Sequence, residues 1–362
     1  GYISVNKFGA NTYKEFLTAI AKLQKANAKK LIIDLRGNAG GYMDAAVNML
    51  NEFLKKGDLI VYVKGKAYPR SDSYANGNGS CQNMKIAVLI DEFSGSASEI
   101  FAGAIQDNDR GTIVGRRSFG KGLVQQQVDF SDGSAVRITV ARYYTPSGRC
   151  IQKPYERGNS SDYESDILNR YLHGEFFSKD SIHQTDTVAY KTVGGRTVYG
   201  GGGIMPDIFV PLDTTRYTDF HRKLVSLGII NKVCVQYVDK NRAELKKKYP
   251  TFEKFKKEFE PDDAFLNALI TAAEKEKEKE KVSTTTQVAP TKEDKETIER
   301  ENVEKTEFEK SKPLIKLQLK ALIASSLWET NEYYQIMDAD NESLLKAIEI
   351  LQTPGAFEKI LK

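Results

Sequence analysis

Ser96 and Lys121, 25 positions apart, are the two residues of this sequence whose types could together perform a group transfer. A serine alcohol is a weak nucleophile near neutral pH until a partner takes its proton. A lysine amine can do so when uncharged, and burial lowers a lysine's ordinary pKa of about 10.4 by up to roughly 3–5 units. Lys121 stands between Gly120 and Gly122, with Phe119, Leu123 and Val124 close by in sequence. A buried amine, carried toward a neighbour by a glycine-permitted turn, is therefore expected there. The competing chemistry is phosphate binding, because Gly115, Gly120 and Lys121 fall on the spacing of a phosphate-binding loop. Two features reject it. Gly122 occupies the position of the hydroxyl that would ligate magnesium, and the following "LVQQQVDF" alternates as a strand where that loop must enter a helix.

Acyl transfer also needs donors for a developing oxyanion, commonly two fixed backbone amides. Ser96 lies at the head of the helical stretch "ASEIFAGAIQDND", where first-turn amides are free, so the Ala97 N–H is a natural first donor. The glycine turn in "LIIDLRGNAGG" offers a second, with Gly40 and Gly41 letting an amide face the site. Taken singly, each signal has an ordinary structural explanation. Ser96 and Glu99 fit the S-x-x-E capping box, "RGNAGG" fits a turn, and Gln125 fits a strand. It is their joint occurrence that points to chemistry.

These residues need a layered scaffold. "GYISVN", "KLIIDLR", "DLIVYVKG", "MKIAVLID" and "GTIVG" read as strands, interleaved with helical "TYKEFLTAIAKLQKAN" and "YMDAAVNMLNEFLKK". Strand and helix in alternation predict an α/β core with parallel pairs. "LVQQQVDF" and "SAVRITVARYYT" predict a hairpin across "SDGS". The core is expected over residues 1–213, with a polar, Gly-rich insertion over about 151–200 that contains a hairpin and returns at the strand "IMPDIFVPL". Residues 214–273 read as a helical extension, 274–312 as a charged linker or solvated helix, and 313–362 as a C-terminal helical segment that must dock on the core or on a partner subunit.

Composition excludes other classes. A net charge of +4 on 362 residues gives no reason to expect nucleic acid, and no apolar run reaches the length of a membrane span. The three histidines, His173, His183 and His221, lack metal-ligand spacing, and the cysteines Cys81, Cys150 and Cys234 lack a disulfide framework.

Together, "LIIDLRGNAGG", "SGSASEIFAGAIQDNDRGTIVGRRSFGKGLVQ", "SDGSAVRITVARYYTPSGR" and "GGIMPDI" resemble, in the same order, the C-terminal processing (tail-specific) peptidases over roughly residues 1–213. The resemblance implies a crotonase- and Clp-protease-like α/β core bearing a serine endopeptidase with a Ser–Lys dyad. Carried over, Ser96 is the nucleophile, Lys121 the general base and Gln125 the residue that orients the lysine amine. Gly41 and Ala97 provide the oxyanion amides. It further implies no metal or cofactor, protein substrates with apolar C-terminal tails, a periplasmic or cell-envelope location and a possible homo-oligomer. The PDZ domain usual before the first core strand is expected to lie outside this chain. The alternative is a latent, protease-like scaffold that holds peptides without cutting them.

Overall fold

The unbroken apolar runs "LII" in "KLIID" and "IAVLI" in "KIAVLI" mark strands buried on both faces, the signature of a parallel sheet covered by helices on each side. The computed structural model, which describes residues 1–155, 160–183, 188–284 and 293–362, bears this out. It divides into two units, residues 1–212 with 342–362, and residues 213–341.

In the first unit the chain runs β1 (Tyr2–Ser4), α1 (Thr12–Lys25), β2 (Lys30–Asp34), α2 (Met43–Asn51), β3 (Leu59–Lys64), β4 (Ser71–Tyr74), β5 (Lys85–Ile90), α3 (Ala97–Asp107) and β6 (Thr112–Gly115). It continues through β7 (Leu123–Asp129), β8 (Ala135–Tyr144), α4 (Ser160–Leu172), β9 (Ala189–Lys191), β10 (Thr197–Tyr199) and β11 (Ile208–Phe209). The main sheet has the order β1-β2-β5-β6-β11, every neighbour parallel. A second, antiparallel sheet has the order β4-β3-β8-β7, and β9 pairs with β10. The α/β layered core expected from the alternating pattern is present.

Side chains leave the main sheet in alternation. Leu31, Ile33, Ile86, Val88 and Ile90 pack with Phe16, Ile20, Met49, Leu50 and Phe101 from α1, α2 and α3. Ile32, Ala87, Leu89 and Val114 pack on the opposite face against Leu344, Ala347, Ile350 and Phe357. These last come from two helices at the end of the chain, so residues 313–362 do not stay together. Residues 342–362 belong to the first unit because their apolar stripe packs on this face of the sheet.

The second unit is helical: α5 (Asp219–Ser226), α6 (Ile229–Lys248), α7 (Phe252–Glu258), α8 (Asp263–Thr284), α9 (Glu293–Leu327) and α10 (Thr330–Met337). Val233, Val238, Phe255, Leu269, Ile315 and Leu319 are among its core residues. The chain then re-enters the first unit with α11 (Glu342–Gln352) and α12 (Ala356–Ile360). The charged stretch expected over 274–312 is helical where described, and its middle, 285–292, lies outside the described residues. His221 is buried in this unit, its Nε2 2.9 Å from Gln318 Oε1, a packing role. None of the three cysteines is in a disulfide.

The 151–200 insertion departs from expectation. It contains the expected hairpin, β9–β10, but also α4, thirteen residues of helix that its polar, Gly-rich sequence did not announce. Residues 156–159 and 184–187 of this insertion lie outside the described residues.

Candidate active site

Of the three serines in "SGSASE", the structure commits two to the scaffold. Ser94 and Ser98 are fully buried, and their hydroxyls donate to the carbonyls of Leu35 and Asn38, each at 2.8 Å. Ser96, between them, remains half-exposed at the head of α3. Its backbone has φ +56° and ψ −114°, in the left-handed half of conformational space that residues with a Cβ seldom occupy. Such strain persists only where the surroundings impose it. Here they do. Gly95 N–H donates to Asn38 O at 3.0 Å, and Ser96 N–H donates to Glu99 Oε2 at 2.8 Å.

The glycine turn after β2 lies directly against this strained corner. A Cβ added to Gly40 would come within 2.6 Å of Gly95 O, 2.7 Å of Ser96 Cβ and 2.9 Å of Ala97 N. Gly40 N–H is itself taken up by Asn38 Oδ1 at 2.9 Å, while Asn38 Nδ2 donates to Val5 O. Among the described residues, the amides of Gly41 and Ala97 donate to no acceptor. Gly41 holds φ +145°, and a Cβ there would stand 2.1 Å from Phe8 O. The turn thus packs Gly40 against the backbone of Gly95, Ser96 and Ala97. Replacing Gly40 by Ala is expected to destabilise the chain by about 1–3 kcal/mol, because backbone rather than a flexible side-chain tip must yield. Gly37→Ala, with φ +69° but open space around the added atom, bears strain alone. Urea unfolding of the two variants checks the difference, and equal costs would show that the turn does not press on Ser96.

Lys121 reaches the site through its backbone. The carboxylate of Glu99, fully buried, accepts from Ser118 Oγ and Gly120 N–H at 2.6 Å on one oxygen, and from Ser96 N–H and Lys121 N–H at 2.8 Å on the other. One carboxylate therefore ties the nucleophile candidate to the base candidate. Burial pushes the Glu99 carboxyl up, and the hydrogen bonds from Ser118, Lys121, Gly120 and Ser96 oppose that rise. Glu99 was legible only as half of a capping box. Its second role depends on residues nineteen to twenty-two positions away that local spacing does not reveal.

Three further placements correct or extend the sequence reading. First, the Lys121 side chain is exposed rather than buried. The apolar neighbour expected to cover it, Phe119, turns away to pack on Tyr163 and Lys153, with ring centroids 6.2 Å apart and Lys153 Nζ 4.2 Å from the Phe119 ring. Second, the buried lysine near the loop is Lys153, whose ammonium burial pushes down while its hydrogen bond to Asp166 opposes the shift. Third, Gln125 is exposed on β7, at a register shift opposite β8, and makes no hydrogen bond to Lys121; nor do Ser96 Oγ and Lys121 Nζ bond to each other.

The remaining family-like segments serve as scaffold for α3. Arg149 of "PSGR" is buried, with Nη2 2.7 Å from both Gln106 Oε1 and Asp107 Oδ1 at the end of α3. Asp207 of "MPD" accepts from Gln106 Nε2 at 2.8 Å and from Ile113 N–H at 2.7 Å. Buried charges persist when paired and hydrogen-bonded in this way. They fix the far end of the helix whose near end carries Ser96.

Comparison with known families matches residues 1–165 to Peptidase family S41. That stretch, a little under half of the chain, is similar to family S41. Over 153 residues the S41 segment is 40% identical to the carboxyl-terminal-processing protease of a Synechocystis species, covering 42% of this chain and 35% of that protein. It is likewise 40% identical over 153 residues to a chloroplastic C-terminal processing peptidase of Tetradesmus obliquus, covering 42% of this chain and 33% of that protein. A solved photosystem II D1 C-terminal processing protease aligns with 39% identity and a TM-score of 0.40, covering 42% of this chain and 39% of that one. The chain spans about a third of the length of the curated relatives it matches. Residues 220–329, in the second unit, match a Family of unknown function (DUF8443). Among the described residues no helix is long and apolar enough to cross a membrane.

Proposed function

We propose that the S41 segment is the catalytic core of a serine endopeptidase that cleaves protein substrates bearing apolar C-terminal tails. The observation that carries this reading is the single Glu99 carboxylate holding the backbones of both Ser96 and Lys121. In this reading Lys121 takes the proton of Ser96 Oγ as that oxygen attacks a peptide carbonyl. The amides of Gly41 and Ala97 hold the oxyanion, and Lys121 returns the proton to the leaving amine. Water then repeats the attack on the acyl-enzyme. Gln125 orients the lysine amine. Catalytic hydrogen bonds left open in a substrate-free site tighten when substrate is bound, and a peptide laid across the exposed lysine would also cover it.

A second reading, a latent peptide-holding core, is favoured by the exposure of Lys121 and the absence of a Ser96–Lys121 bond. A fluorophosphonate probe separates the two, because its fluoride is displaced only by an activated serine. The endopeptidase reading expects stoichiometric labelling, mapped by peptide mass spectrometry to the segment that holds Ser96, together with cleavage of an unfolded protein ending in apolar residues. A chain that binds such a protein but neither cuts it nor takes the label is the latent scaffold.

A further inference from the structure

The loop that carries Lys121 is gripped from two sides. Glu99 grips it from the nucleophile's own helix, as described above. The insertion grips it from the other side, and this second grip has a role of its own. Arg170, on α4 and only 6% exposed, donates from Nη1 to Ser118 O at 3.0 Å and from Nη2 to Arg117 O at 2.7 Å. Its Nε donates to Glu175 Oε1 at 2.8 Å, and Glu175 also receives Arg117 through Nε at 2.7 Å and Nη2 at 2.5 Å. One residue further on, Lys153 Nζ lies 4.2 Å from the Phe119 ring and 4.1 Å from the Tyr163 ring, and donates to Tyr163 O and Asp166 Oδ2 on α4. The Lys153 backbone N–H completes the series on Gly120 O at 2.9 Å. Residues 117, 118, 119 and 120 are each fastened in turn to α4 or to the strand of chain that leads into it.

We propose that α4 is a positioning element for the Ser96–Lys121 site, with Arg170 as its principal positioning residue; the inference rests on the endopeptidase reading. The physical ground is directional. Glu99 holds Ser118 Oγ and the amides of Gly120 and Lys121, and the carbonyls of Ile204 and Ser94 take the amides of Ser118 and Phe119, but none of these bonds holds the carbonyls that set the direction from which the loop arrives. The carbonyls of Arg117 and Ser118 set that direction, and Arg170 holds both with a planar, forked donor that a flexible ammonium cannot reproduce. The loop enters Lys121 three residues later. Misplacement of a catalytic group by about 1 Å costs on the order of a hundredfold in rate.

The test uses the full chain with Arg170→Gln, Arg170→Lys and Asp166→Asn. Steady-state cleavage of an unfolded protein substrate separates kcat from KM, and hydrogen exchange follows the amides of residues 118–122. For Arg170→Gln the expected result is a kcat lower by roughly 10–100-fold with KM within about twofold, and exchange at 118–122 faster by at least about tenfold while β5 is unchanged. Arg170→Lys should recover part of the kcat. If Arg170→Gln fails to fold, as circular dichroism would show, Asp166→Asn replaces it, since it removes the charge paired with Lys153 and leaves Arg170 in place. A loss of roughly 3–10-fold in kcat is expected from it. Unchanged kcat in a folded variant, or a loss confined to KM, overturns the proposal. A wild-type chain that neither cleaves nor labels overturns the endopeptidase reading instead. The grip of α4 is then decided by exchange alone, and unchanged exchange in Arg170→Gln overturns it.

Discussion

Ser96→Ala, Lys121→Ala and the double variant should all fall to the same floor, roughly 10⁴-fold or more below the wild-type kcat/KM, while folding as the wild type does. The equality is the informative part. Residues that act as one unit in a single step are grossly non-additive, because removing either partner removes the step. Lys121 is exposed and its amine has no partner among the described residues, so truncating it withdraws no stabilising contact. Ser96 keeps its N–H bond to Glu99 when it becomes Ala, and its backbone strain is unchanged. The lysine substitution stays within about 0.5 kcal/mol in stability, whereas Ser96→Ala gives up the capping-box side chain at the head of α3 and costs roughly 0.5–2 kcal/mol. For Lys121→Ala, a loss of activity accompanied by unchanged urea unfolding therefore reports chemistry. If Lys121→Ala keeps near-wild-type turnover while Ser96→Ala is dead, the serine stands as nucleophile and the base lies elsewhere. Multiplicative losses, with the double variant far below either single one, would mean that the two side chains act in separate steps.

The order of the elements in the first unit was readable because both kinds of evidence were local. Buried strands announce themselves as short runs of Ile, Leu and Val, and α1 by its period. The Ser96 corner was readable for a related reason: a serine that begins a helix and a glycine turn after a strand are both local signals. What escaped was set by distance along the chain. Phe119 suggests a covered Lys121, yet its ring is claimed by Tyr163, forty-four positions on. α4 escaped because its pattern is inverted. Leu168 is 58% exposed and Leu172 69%, while Arg170 is 6% exposed. A helix that buries its arginine and exposes its leucines reads as a polar excursion, since amphipathic patterning assumes the opposite. The helices α11 and α12 show the intermediate case. Their apolar stripe declared that they must dock, but the face they cover belongs to strands some 250 residues earlier.

Glu99→Gln should prove the most disruptive isosteric change in the chain, costing about 2–4 kcal/mol in stability and lowering turnover on the order of 10²–10³-fold. Shape is preserved, so the cost comes wholly from hydrogen-bond direction. Each carboxylate oxygen accepts two donors: Ser118 Oγ and Gly120 N–H on one, Ser96 N–H and Lys121 N–H on the other. An amide nitrogen in place of either oxygen sets donor against donor. If it faces Ser96 and Lys121, both backbone amides lose their acceptor, and the two halves of the site are released from each other. If it faces Ser118 and Gly120, the serine hydroxyl can rotate but already accepts from Ile204 N–H at 2.6 Å, and Gly120 N–H is left unmatched. Neither orientation satisfies all four donors, and a buried donor without an acceptor costs roughly 1–3 kcal/mol. The predicted signature is a joint loss, with urea unfolding and fluorophosphonate labelling rate falling together. Lys121→Ala should instead slow labelling with no change in unfolding. A Glu99→Gln chain that matches the wild type in both measurements would show that the carboxylate does not hold the site, and with it would go the observation on which the Ser96–Lys121 assignment most depends.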